Sequence, residues 1–136
     1  MKNAIRGVDH PVIAVRDMEG AHADYKRLGF TMPPRGSHIE WGTGNWCIMF
    51  ADDYLELRGI IDSNKECHGL DRFLERRQGL MGVALATNDV EKCHALLEES
   101  GLHPGSVRQL KRNFELEEGT VQPQFSLCFL DEAEAP

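Results

Sequence analysis

Short apolar runs and one-sided helical stripes follow one another along the chain in a fixed order. The run ending at Val15 predicts a β-strand, with His10, Val12 and Ala14 on one face and Pro11, Ile13 and Val15 on the other. Asp17 follows as a helix N-cap, and Met18, Ala21, Tyr25 and Leu28 form an apolar stripe on a helix over 18–28. Gly29 then supplies the left-handed residue that commonly ends a helix. Three more strands are predicted at Ser37–Trp41, Asn45–Phe50 and Tyr54–Ile61, with turns at Gly42-Thr43-Gly44 and Ala51-Asp52-Asp53. The order is βαβββ. A link over 62–79 carries an amphipathic helix around Leu70, Phe73 and Leu74, ended by Gly79.

The unit then repeats at an offset of 72 residues: Asp17 meets Asp89, His22 meets His94, and Gly29 meets Gly101. A second strand starts near residue 80, and a second helix over 90–100 carries Val90, Cys93, Leu96 and Leu97. Beyond it lie a bent strand over Val107–Leu116, a turn at Glu117-Glu118-Gly119 and a strand over Phe125–Leu130. Two alignments of that last strand stay open. At the constant offset Cys128 is the counterpart of Glu56; alternatively Ser126–Asp131 matches Ile48–Asp53, and the chain stops before its final strand. The expected fold is α+β, with paired βαβββ modules in one domain spanning 1–136. Module one covers about 5–61, the linker helix 62–79, and module two about 80–136.

Alternation gives each strand of module one an apolar face and a mixed face. The mixed faces collect His10, His38, Glu40, Asn45, Cys47, Met49, Tyr54, Glu56 and Arg58, a set suited to a polar cleft. Parity sends Trp41 and Trp46 to the helix side. Pro11 cannot donate a ladder hydrogen bond, so its strand is expected at an edge or a seam.

Composition narrows the function classes. The chain has 136 residues with 15 basic and 22 acidic side chains, a formal charge of −7 that repels phosphate backbones and argues against nucleic acid as a partner. No apolar stretch is long enough to cross a membrane, and no signal peptide is evident. Cys47, Cys67, Cys93 and Cys128 form no CxxC pair and are read as reduced thiols of a cytoplasmic protein.

Val8-Asp9-His10, Ile13-Ala14-Val15, Asp17-Met18 and Leu28-Gly29-Phe30 together resemble the opening of vicinal oxygen chelate proteins. Pro34-Arg35-Gly36, Gly42-Thr43, Ile48-Met49-Phe50 and Asp53-Tyr54-Leu55-Glu56-Leu57 bring the chain closest to the glyoxalase-like domain family. The resemblance covers residues 5 to about 102 well and the tail weakly. It implies a curved mixed sheet with helices on the outside. It also implies a divalent metal (zinc, nickel, manganese or iron) on His10 and Glu56, with Glu56 moving a proton. His38, Asn45, Tyr54 and Arg58 are the expected substrate contacts. Of the second pair such proteins normally draw from module two, the counterpart of His10 is Gly82, which cannot ligate through a side chain, and Cys128 is chemically possible but not the usual carboxylate.

Three functions follow. One is a metal-assisted lyase, isomerase or dioxygenase acting on a small oxygen-rich substrate. Another is a metal-free small-molecule-binding protein of bleomycin-resistance type. The third is a non-catalytic module that dimerises. An unfinished second module would leave a strand edge open, so a homodimer is expected.

Overall fold

The computed structural model describes residues 4–38, 40–131 and 133–134, and only the backbone at 114 and 115. Module one runs β1 (Ile5–Ala14), α1 (Met18–Arg27), β2 (Gly36–His38), β3 (Thr43–Met49) and β4 (Tyr54–Ile60). The linker holds α2 (Leu70–Arg76). Module two runs β5 (Gly79–Thr87), α3 (Val90–Glu99), β6 (Arg108–Leu116), β7 (Gly119–Val121) and β8 (Gln124–Leu127). Both predicted N-caps form: Asp17 accepts from the Gly20 amide and Asp89 from the Lys92 amide, at 2.9 and 3.0 Å. No described helix is long and apolar enough to cross a membrane.

The strands make one curled mixed sheet in the order β5-β1-β4-β3-β2-β6-β7, with β8 also on β6. The expected α+β fold with a curved mixed sheet is the observed one. β1 lies between parallel β4 and antiparallel β5, at the seam between modules. That is where Pro11 fits, since the β1–β4 register begins one residue later, at Val12↔Glu56.

β7 and β8 pair with successive stretches of β6 in a single register, from Leu116↔Gly119 to Arg108↔Leu127. They are one strand interrupted at Gln122-Pro123, where proline removes a donor. This strand stands beside β6 as β3 stands beside β2. The two open alignments are thereby decided: the late strand is the counterpart of β3, and Cys128 is not the counterpart of Glu56. Among the described residues β5 pairs only with β1, so its outer edge is open.

α1 covers the apolar face of module one. Val15, Met18, Trp46, Ile48 and Leu57 form its core, with Ile13, Ala21, Tyr25 and Phe30 packed around them. Trp46 therefore faces the helix, as parity predicts, with its ring 4.4 Å from that of His22. Trp41 does not. β2 ends at His38, parity lapses beyond it, and Trp41 packs on His68 at 3.9 Å. Ile39, part of the strand predicted there, lies outside the described residues. α2 seats Leu70 against Ala14 and Ile60 at one end of the sheet.

Candidate functional site

Glu56 and Leu57 are neighbours on β4 and point to opposite faces. Leu57 is fully buried under α1, and Glu56 is 2% exposed on the concave side. The ladder puts Cys47 of β3 and Val12 of β1 opposite Glu56, and Asn45 opposite Arg58. Alternation brings His10 onto the same face, two residues before Val12.

These side chains form one connected cluster. Asn45 Nδ2 donates to Glu56 Oε1 at 2.6 Å. Arg58 grips both carboxylate oxygens, with Nη2 2.8 Å from Oε2 and Nε 3.3 Å from Oε1. His10 Nε2 lies 3.2 Å from Glu56 Oε2, and His10 Nδ1 lies 2.6 Å from Asp9 Oδ1. Tyr54 stacks on the His10 ring at 4.2 Å. From module two, Arg112 Nη1 donates to Cys47 Sγ at 3.1 Å. Gly36 makes room for this packing, since a Cβ there would collide with Asn45 Oδ1.

The charges settle accordingly. Burial alone would raise the Glu56 carboxyl, but the His10 contact, the Arg58 charge and the Asn45 hydrogen bond hold it far below the usual carboxylate range. Burial opposes a charge on His10, yet Glu56 and Asp9 together push its pKa up. Burial, aided by Arg58, lowers His38 to about 4, so it is neutral at pH 7. Burial pushes the Cys47 thiol up to about 11 against the pull of Arg112, which keeps it protonated near neutral pH. Burial and the Glu56 charge likewise raise Tyr54.

The structure thus unites His10, Asn45, Tyr54, Glu56 and Arg58. His38 stands apart, with Nδ1 2.6 Å from Thr43 Oγ1. His38 and Asn45 are sealed, at 4% and 1% exposure, whereas Arg58 and Tyr54 reach the rim. Sequence reasoning missed Asp9, Thr43 and Arg112. Arg112 enters through the pairing of β6 with β2, which sets it opposite His38 and which no local sequence pattern announces. Glu40 is exposed beyond the end of β2.

His10 Nε2 and Glu56 Oε2 stand close enough to share an ion. Even so, the donor set does not fit a resident metal. No three His, Cys, Asp or Glu side chains converge among the described residues. Both Glu56 oxygens already accept protein hydrogen bonds, and a His10 with a raised pKa must lose a proton before it can ligate.

Comparison with known proteins places this arrangement in context. Residues 8–136 match the family model for the glyoxalase-like domain. No curated protein matches the chain. A methylmalonyl-CoA epimerase from Mycobacterium tuberculosis superposes with a TM-score of 0.67 at 18% identity, over 84% of this chain and 81% of that one. A Streptomyces coelicolor methylmalonyl-CoA epimerase in complex with 2-nitronate-propionyl-CoA gives 0.66 at 17% identity, over 97% and 99%. A hypothetical protein from Staphylococcus aureus gives 0.72 at 18% identity, over 95% of this chain but 56% of its own. At such identities the likeness is one of fold. The family match covers nearly the whole chain, and the chain belongs to the glyoxalase-like domain family.

Proposed function

We propose that this glyoxalase-like chain binds a small oxygen-rich molecule at the rim of the concave cluster without a resident metal. One observation carries the reading: every oxygen of Glu56 is held by protein donors, while Arg58 and His10 remain partly exposed beside it. A ligand meets two cationic or donor groups and the Tyr54 ring there, a combination that suits carboxylate or vicinal oxygens. Glu56 is too weak a base to take a proton near neutral pH, so its role is to orient Arg58 and His10. Oxalate and catechol, titrated in the presence of EDTA, are the probes. Shifts in the NMR signals of His10, Tyr54 and Arg58 support the reading. Binding that appears only after a divalent metal is added overturns it.

A second reading has its own support. His10 Nε2 and Glu56 Oε2 stand 3.2 Å apart, so an added ion held mainly by substrate and water could touch both, and two fold neighbours are methylmalonyl-CoA epimerases. On this reading the protein is a metal-assisted isomerase, lyase or dioxygenase whose substrate includes acyl groups such as those of CoA esters. Proton exchange into a CoA thioester in D2O, dependent on added metal and lost in His10→Ala, is its test.

The single-domain organisation and the homodimer are further parts of the proposal. β5 offers a nine-residue open edge with no charged side chain, and Val83 and Leu85 are half exposed along it. Natural sheets usually guard such edges with charge or proline. Pairing of two copies along β5 is expected in sedimentation at micromolar concentration, and Val83→Lys should abolish it.

A further inference from the structure

Arg58 sits two residues beyond Glu56 on the same strand, so alternation aims both side chains at the same space. Its guanidinium is side-on to the carboxylate and occupies both oxygens. Asn45, directly across from Arg58 on β3, adds a third donor. The guanidinium and the Asn45 amide thus take up acceptor positions on both oxygens that a metal on Glu56 would otherwise use.

The row across the sheet completes the picture. Glu56, Val12 and Gly82 are successive partners on β4, β1 and β5, so all three present the same face. At Gly82 a Cβ would meet nothing within 4 Å. The position is open and lacks only a side chain.

We propose that Arg58 is the built-in cation of this site: it takes the place of a metal on Glu56 and decides that the site works without one. This rests on the metal-independent reading above. Two features keep metal away, a resident guanidinium and an absent ligand at Gly82, and they are separable. Removing Arg58 frees Glu56. Adding histidine at position 82 supplies a third ligand from the neighbouring strand.

The test uses nickel(II) as probe, followed by calorimetry and by elemental analysis after dialysis, on the wild type, Arg58→Met, Gly82→His and the double variant. Circular dichroism and thermal melting establish that each is folded. Arg58→Met is expected to bind nickel at least about tenfold more tightly than the wild type, the scale on which groups around a ligand change metal affinity. The double variant is expected to gain about tenfold more. Gly82→His alone should gain little, because Arg58 still holds the carboxylate. Arg58→Lys, which keeps the charge, should stay like the wild type and serves if Arg58→Met does not fold. Adding Glu56→Gln to Arg58→Met should erase the gain.

Tight nickel binding by the wild type overturns the metal-independent reading itself. Weak binding by the wild type with no gain in folded Arg58→Met leaves that reading standing and overturns the role given to Arg58. A gain in Arg58→Lys equal to that in Arg58→Met also overturns it.

Discussion

Replacing Glu56 with leucine would leave three donors pointing at a carboxylate that is no longer there. Asn45 Nδ2 would lose a 2.6 Å bond, Arg58 both of its contacts, and His10 one of its two carboxylates. Removing one partner of a buried ion pair costs about 3–5 kcal/mol, chiefly because the other charge stays buried. Arg58 keeps 18% side-chain exposure and can turn partly to water, so the lower end, about 3 kcal/mol, is expected. That is a large part of the roughly 5–15 kcal/mol available to a domain of this size. Urea unfolding is the assay. With a slope of about 2 kcal/mol per molar, the midpoint should fall by roughly 1.5 M. Combining Glu56→Leu with Arg58→Met should restore part of the loss, because the stranded charge goes too. A Glu56→Leu cost below about 1 kcal/mol, or a double variant no more stable than the sum of the singles, would refute the account of a tightly coupled cluster.

Acid should unfold the protein partly through His38. Its pKa is about 4 in the fold against an ordinary 6.5, so the unfolded chain takes the proton first. That contribution is complete above about pH 6.5, declines as pH falls and is gone below about 4, at most about 3 kcal/mol from the usual 1.36 kcal/mol per unit. Urea midpoints across that window should show the slope, and His38→Gln should flatten it. Gly42→Ala should destabilise severely, since the new Cβ would collide with the Asp62 carbonyl, whereas Gly82→Ala has open space and should be near neutral; melting temperatures separate the two. Asp17→Ala and Asp89→Ala should each cost about 1 kcal/mol in urea unfolding, because each removes the same helix cap from one copy of the repeat.

How much of this was visible in the sequence depended on the range of the forces involved. The two strand–helix openings were legible because capping aspartates, apolar stripes and terminal glycines are local signals. The concave set around Glu56 was legible for a similar reason, since period-two alternation needs no knowledge of neighbouring strands. The pairing of β2 with β6 was not legible. It joins residues more than 70 positions apart and brings Arg112 opposite His38. Trp41 was misplaced because alternation was carried past His38, where the strand ends. β7 has no counterpart in the sequence reading, which ends its turn at Gly119 and starts the next strand at Phe125, since Pro123 splits the strand into pieces too short for the pattern to register. The partner of Arg58 was hidden as well. Residues at i and i+2 share a face, but only the fold shows that Arg58 turns back onto Glu56.

The repeat leaves the two halves with unequal work. In module one, α1 presses Met18 and its neighbours onto Leu57, which fixes the backbone of β4 from the outside. Because Leu57 and Glu56 are adjacent and opposed, the same packing fixes the carboxylate on the inside. Module two has the helix and the first strand but, among the described residues, no strand between β8 and β5 to play the part of β4. Val83 and Leu85 are accordingly half exposed where a packed helix–sheet layer would bury them. The residue of β5 matching His10 is glycine, at position 82. Among the described residues, His10, Asn45, Tyr54, Glu56 and Arg58 all come from module one. From module two the cluster draws Arg112, carried on β6, the strand that pairs directly with module one through β2.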